Sequence, residues 1–208
     1  MNTVRPDHCA IVLLAAGMSV RLGTPKQLLL YRGKSLLRLS IEAALGTGLQ
    51  PLLVVLGANH KLLENEMKGM EGIRLVMNKE WKEGMAASIR CGVEEALKTK
   101  PDLEGLMIMV CDQPYVSTVL LKSIFYAQQN SGMPVVAANY QHHAGVPALF
   151  HKSFFNKLME LRGDTGARKL LKENANQVDL VPFPGGGTDI DSREDYLKLN
   201  ALKEGRKE

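Results

Sequence analysis

The sequence predicts an α/β fold in which a mostly parallel sheet is covered by helices on both faces, a three-layer α/β/α sandwich. Three observations carry the prediction. Short apolar runs alternate along the chain with stretches of helical periodicity, the pattern of strands joined by crossover helices. Two of those runs, residues 10–14 and 106–111, lead straight into polar, chemistry-bearing residues, as strands do at the ligand-binding carboxyl edge of an open sheet. The composition, 45% hydrophobic and 23% charged over 208 residues, suits one globular domain large enough to bury a core without staples. The expectation is a single Rossmann-like domain over residues 1–208.

The first strand, residues 10–14, runs into Leu14-Ala15-Ala16-Gly17-Met18-Ser19-Val20-Arg21-Leu22-Gly23-Thr24-Pro25-Lys26. Glycines let backbone come close to a charged ligand and turn its amides inward, while Arg21 and Lys26 supply fixed positive charge for a polyphosphate. On their own the same residues also suit a strand-to-helix turn with two solvated bases. Two better-known phosphate loops are excluded. Gly33-Lys34-Ser35 would need a glycine at position 28 to end a P-loop, and Leu28 stands there; Gly17-Met18-Ser19 breaks the dinucleotide pattern GxGxxG.

A helix follows over residues 35–45, closed by Gly46-Thr47-Gly48, then a strand over 51–56, a helix over 60–68 and a strand over 73–77. Glu83-Gly84-Met85-Ala86-Ala87-Ser88 opens a helix over 85–97, with Met85, Ile89, Val93 and Leu97 on one face. Its small first residues leave free amides and room for a flat ring or ribose, or simply pack against the sheet. The apolar strand 106–111 stops at Asp112-Gln113-Pro114, where proline cannot continue the ladder. A carboxylate there suits a hard divalent ion that also takes substrate phosphate oxygens, or else caps a turn.

A helix over 117–129 precedes strands over 135–138 and 148–150, with His142 and His143 in the loop between them. Adjacent histidines in extended chain point opposite ways, so at most one meets a substrate. Helices follow over 152–161 and 166–173; Asp164-Thr165-Gly166-Ala167-Arg168 places a cap residue before the second, and Arg168, one turn in, offers a planar fork to a phosphate or a ring. After a strand over 178–181, Pro184-Gly185-Gly186-Gly187 reads as a flexible turn. Asp189 and Asp191 share one side of an extended segment and repel unless a cation or donor lies between them. A last helix covers 194–199, and the tail after Leu202 is expected to fray.

Charge and cysteine use narrow the function classes. A net charge of +4 fits an anionic small molecule and lacks the dense basic stripe of a nucleic-acid binder; five phenylalanines, five tyrosines and one tryptophan make no base-stacking platform. Cys9, Cys91 and Cys111 have no metal-ligand spacing and read as small buried residues in a reducing compartment, the cytoplasm. The first apolar run is too short to cross a membrane, and it leads into the glycine loop, which argues against a cleaved signal.

The loop at 14–26, Glu83 to Arg90, Cys111-Asp112-Gln113-Pro114, Arg162-Gly163-Asp164-Thr165-Gly166-Ala167-Arg168 and Asp189 to Tyr196 resemble, in kind and order, the blocks of the molybdopterin group of nucleotidyltransferases, above all molybdenum cofactor cytidylyltransferases. The family signature LAAGxSxRMGxxK is matched with Leu22 in place of methionine. Two departures stand out. Val146 occupies a position that is often histidine or another polar residue, and Ser192-Arg193 replaces a usual Thr-Pro, serine being an equivalent helix cap.

The resemblance implies the nucleotide-diphospho-sugar transferase type of the α/β fold and transfer of CMP from CTP to the phosphate of molybdopterin. The products would be a cytosine dinucleotide cofactor, for a molybdenum hydroxylase as recipient, and pyrophosphate. It implies Arg21, Lys26 and Asp112 as catalytic groups, and Ala15, Ala16, Gly17, Ser19, Arg21, Gly23, Lys26, Gly84 and Ser88 around the nucleotide. Magnesium, with manganese as a substitute, would lie on Asp112 and Asp191 with Asp189 in support, and Arg168 and His142 would meet the pterin. Ala16 resembles the cytidine-using branch, the guanosine-using branch having glycine there. The alternatives are a GTP-using guanylyltransferase, a cytidylyltransferase of another phosphorylated small molecule, a non-catalytic cofactor chaperone and, least, a Rossmann oxidoreductase.

Overall fold

The structure, a computed structural model, describes residues 2–18, 23–140, 143–188, 190 and 192–204. Along the chain the strands are β1 (Cys9–Leu14), β2 (Leu30–Tyr31), β3 (Lys34–Ser35), β4 (Leu52–Leu56), β5 (Ile73–Met77), β6 (Gly105–Val110), β7 (Val135–Tyr140), β8 (His143–His151) and β9 (Val178–Pro182). The helices are α1 (Leu36–Leu45), α2 (His60–Glu66), α3 (Met85–Thr99), α4 (Thr118–Ser131), α5 (Phe155–Met159), α6 (Ala167–Glu173) and α7 (Arg193–Glu204).

Among the described residues, seven strands form one sheet in the order β5-β4-β1-β6-β8-β7-β9. All neighbours are parallel except β8, which runs against both β6 and β7. The alternation of β1 shows how the sheet is sandwiched. Cys9, Ile11 and Leu13 enter one core layer with α1, α2 and α4, whereas Ala10, Val12 and Leu14 enter the other with α3, α5 and α6. A strand buried on both faces reads as an unbroken apolar run, which is why it stands out in the sequence.

Several elements depart from the expected bounds. Strands β7 and β8 are longer than 135–138 and 148–150, so His143 starts a strand instead of lying in a loop. The helix expected over 152–161 divides into a 3-10 turn, Lys152–Phe154, and the short α5. The hairpin of β2 and β3 was not expected at all: each strand has two residues, and the turn between them is made by Arg32 and Gly33 at φ 52° and 79°. Pro184–Gly187 is no flexible turn but a 3-10 turn with Gly186 buried against Tyr140 and Phe183. The last helix continues to Glu204, past the expected fraying point.

Helix α7 opens with a reciprocal cap in which the Asp195 amide donates to Ser192 Oγ at 3.2 Å and the Ser192 amide donates to Asp195 Oδ2 at 2.9 Å. The serine that departs from the family pattern thus does cap the helix. Tyr196 reaches back to the Leu30 carbonyl at 2.9 Å, and Ile190 and Leu199 pack with Tyr31 and Leu36, which docks α7 on the small hairpin. No helix among the described residues is long and apolar enough to cross a membrane.

Polar contacts fasten the amino-terminal segment. Val4 N donates to Gln128 Oε1 at 2.9 Å, and Arg5 gives its amide, Nε and Nη2 to the Glu104 carboxylate at 2.7–3.1 Å. These Arg5 hydrogen bonds hold the Glu104 carboxyl down at about 2. An acid whose pKa is lowered by folding stabilises the fold above its unfolded value, about 4.3, and loses that contribution as pH falls toward the folded value. Thermal melts of wild type and Glu104→Gln should therefore differ by a constant amount, on the order of 2 °C for so exposed a pair, from pH 7 to 5. Between pH 4 and 2 the difference should close; a gap independent of pH would mean that the ion pair contributes nothing.

Candidate functional site

Strands β1 and β6 lie side by side in register, Leu14 beside Val110, so the glycine loop and Asp112 leave the sheet at the same edge. The chain returns to that edge in the 3-10 turn Lys26–Leu28, from which Lys26 Nζ donates to Asp112 Oδ2 in a half-buried ion pair with side chains 20% and 15% exposed. The other carboxylate oxygen, Asp112 Oδ1, is buried and has no hydrogen-bond partner among the described residues. An orphaned charged acceptor is costly, about 1–3 kcal/mol or more, so the carboxylate is suited to one further cationic or donating group. A hard divalent ion fits that oxygen donor. Cys111, in the same wall, is kept a neutral thiol by burial, which with the Asp112 charge pushes its pKa up to about 12.

The start of the glycine loop, Ala15 to Gly17, is tied down by hydrogen bonds. Ala15 N donates to Val55 O at 2.9 Å, and Ala58 N donates to Ala16 O at 3.2 Å. The buried amide of Gln27 donates to Ala15 O at 3.0 Å and Gly17 O at 2.9 Å. Gly57 is required for this close approach: a Cβ there would lie 2.6 Å from Ala16 O.

The opposite wall is the start of α3. Ser88 Oγ accepts from Asn78 Nδ2 at 3.0 Å, which leaves its own O–H as a donor. Gly84 holds φ 119° and ψ −170°, and the segment 161–164 packs directly on it. The Ala86 amide donates to Gly163 O at 3.1 Å, so one amide expected to be free for a ligand is already in use. Arg90 joins Glu83 at 2.7 Å and Leu161 O at 2.6 Å, lowering the Glu83 pKa and fixing the segment to the helix. Asp164 is not the cap of α6: Gly166 occupies that position without a side-chain bond, and the Asp164 carboxylate lies against Gly84 instead. Met85 is exposed, so the face of α3 that enters the core begins at Ala86 and continues through Ile89 and Val93.

Two clefts open at this edge. The first, of about 310 Å³, gathers Ala15, Ala16, Gly17, Lys26, Gly84, Ser88 and Asp112 from the sequence expectation, together with Trp81, Gln27 and Asp164, which sequence reading missed. The second, of about 280 Å³, is lined by Gln113, Tyr140, Gly145, Val146 and Arg168. Lys26 and Asp112 line both, as do Leu14, Met85 and Val110. Segment 161–168 also serves both, with Asp164 in the first and Arg168 in the second. Gly23 is exposed at φ 63° and lines neither cleft. Ser19, Arg21, His142, Asp189 and Asp191 lie outside the described residues. Among the described residues no three His, Cys, Asp or Glu side chains form a metal cage.

The sole tryptophan carried a usable signal, since it stands three residues before Gly84 and offers a flat apolar wall for a base. Gln27 and Asp164 gave none; only tertiary packing brings them to the cleft.

Residues 11–178 match the MobA-like NTP transferase domain. The chain is 30% identical over 204 residues to the purine catabolism protein PucB of Bacillus subtilis, covering 93% of this chain and 96% of that one. It is 29% identical over 197 residues to nicotine blue oxidoreductase of Paenarthrobacter nicotinovorans, covering 90% and 94%. Among solved structures it resembles Rv0371c of Mycobacterium tuberculosis H37Rv at a TM-score of 0.80 with 31% identity, covering 94% of this chain and 98% of that one. A manganese complex of that same protein matches at a TM-score of 0.75 and 27% identity, with the same coverage.

Proposed function

This chain belongs to the MobA-like NTP transferase family, and on that premise we propose that it transfers CMP from CTP to the terminal phosphate of molybdopterin. A phosphate oxygen of the acceptor attacks the α-phosphorus, a new P–O–P link forms, and the bond to the β-phosphate breaks with its electron pair leaving on pyrophosphate. Such a reaction needs alignment and charge neutralisation more than covalent catalysis. The observation that carries the reading is the Lys26–Asp112 pair in the wall common to two clefts, with one carboxylate oxygen unpartnered among the described residues. A triphosphate in the first cleft and an anionic acceptor in the second would meet at that partition.

In this reading Ala15, Ala16, Gly17, Gly84 and Ser88 hold the nucleoside and its first phosphate, with Ser19 and Gly23 completing the loop. Lys26 and Arg21 bind the β- and γ-phosphates and stabilise the charge that grows on the leaving group. Arg168 lines the acceptor cleft and takes the acceptor phosphate or ring through its planar fork, with His142 beside it. Asp112, with Asp191 and Asp189, would hold a divalent ion, magnesium or manganese, whose chemistry is to neutralise and orient phosphate oxygens. The manganese complex of Rv0371c supports a divalent ion in this fold. The setting proposed is the cytoplasm, in a single domain serving a molybdenum hydroxylase.

The test is pyrophosphate release on mixing the protein with magnesium, molybdopterin and either CTP or GTP, alongside calorimetric titration of the two nucleotides. Release with CTP and tighter CTP binding are expected, because the Ala16 methyl narrows the pocket against a purine. Tighter GTP binding would transfer the reading to a guanylyltransferase, and pterin binding without turnover to a chaperone. Hydride transfer enters through one relative's name, against the broken glycine pattern at Gly17-Met18-Ser19.

A further inference from the structure

We infer that Gln27 gives the glycine loop its electrostatic polarity and so acts as a positioning residue for the triphosphate; the inference rests on the nucleotide reading above. Backbone after β1 has no ladder to occupy its carbonyl oxygens, and each carries a partial negative charge that would repel a polyanion if it faced the cleft. Three consecutive carbonyls are instead engaged by donors of the protein. Ala15 O and Gly17 O accept from Gln27 Nε2 at 3.0 and 2.9 Å, and Ala16 O accepts from Ala58 N at 3.2 Å.

The amide group of glutamine has two N–H bonds on one nitrogen, which matches two carbonyls two residues apart. The assignment of that nitrogen follows from its partners, since an oxygen placed between two carbonyl oxygens would be repelled by both. Glutamine is a mostly exposed residue type, yet Gln27 is 1% exposed. Buried to that extent, the side chain acts on the backbone around it.

Neighbouring positions of one short turn thereby divide the work. Lys26 reaches Asp112 and presents charge to the ligand; Gln27 draws the loop's negative ends away from it. Substitution by methionine keeps the length and loses both bonds. Substitution by glutamate keeps the shape but offers only acceptors when ionised, so the carbonyls are driven off, in the worst case toward the phosphates.

The experiment is a calorimetric titration of CMP, CDP and CTP, each with magnesium, into wild type, Gln27→Met and Gln27→Glu. Affinity for CTP should fall at least about tenfold in Gln27→Met and further in Gln27→Glu, while CMP affinity changes by less than about twofold. The gain in affinity along the phosphate series should therefore flatten. Equal losses for CMP and CTP would reduce Gln27 to a packing residue and overturn the inference, as would an unchanged CTP affinity. If Gln27→Met does not fold, the isosteric Gln27→Glu carries the same comparison. A wild type that binds none of the three nucleotides overturns the nucleotide reading and this inference with it, whereas a steep series kept by both variants overturns the role of Gln27 alone.

Discussion

Asp112→Ala should abolish turnover, by about 10³-fold or more, while leaving the protein folded. The side chain stands at the end of β6, beyond the last ladder residue Val110, and contributes a mostly buried ion pair and an oxygen unpartnered among the described residues. Its removal costs little packing and relieves one unsatisfied acceptor, so the melting temperature should move by no more than a few degrees. The same change removes a negative charge from beside the triphosphate site, so triphosphate binding without metal should be kept or become tighter. Pyrophosphate release, a thermal melt and a metal-free titration together check the three statements. Normal turnover, or an unfolded variant, would remove Asp112 from the proposed chemistry.

Gly84→Ala should disable both clefts at once. With φ 119° and ψ −170° the residue occupies backbone territory open almost only to glycine, so alanine there costs about 1–3 kcal/mol before any contact is considered. Its Cβ would also lie 2.6 Å from both Gly163 O and Asp164 Oδ1. The carboxylate can swing aside; the backbone carbonyl cannot, because it accepts from the Ala86 amide and its neighbour Leu161 O is held by Arg90. Segment 161–168 must therefore shift, carrying Asp164 at one cleft and Arg168 at the other. We expect KM to rise for nucleotide and acceptor together and kcat/KM to fall on the order of 10²-fold, as for a displacement of about 1 Å in an aligned site. Steady-state kinetics with each substrate varied in turn will show it. A rise in one KM alone would mean that the segment does not couple the clefts.

What the sequence made legible follows from the range over which each signal acts. Strand β1, its loop and Asp112 were readable because a doubly buried strand is an unbroken apolar run and its end is marked by glycine or proline. Most of the other strands and helices were readable from their own apolar patterning, with bounds shifted by a few residues. The β2–β3 hairpin was not, since two-residue strands are shorter than any periodicity. Asp164 has the right spacing for a helix cap, and the sequence had no way to state that Gly84 would face it from 80 positions away. Gln27 in a surface-like turn gave no sign of burial, which arises only when the returning chain passes beneath the loop of β1. In each miss a contact distant along the chain decided what local pattern could not.

The reversed strand has an implication for how such an enzyme changes its target. Because β8 runs against β6, its opening residues Gly145 and Val146 flank the far end of β6, and the second cleft takes a wall from a hairpin rather than from the crossover loops that build the first. Under the proposed reading, the segment that greets the molecule to be modified shares no backbone with the loop that grips the activated donor. Variation can accumulate in that hairpin, Val146 in place of a polar residue being one instance, while the donor-handling apparatus is inherited unaltered.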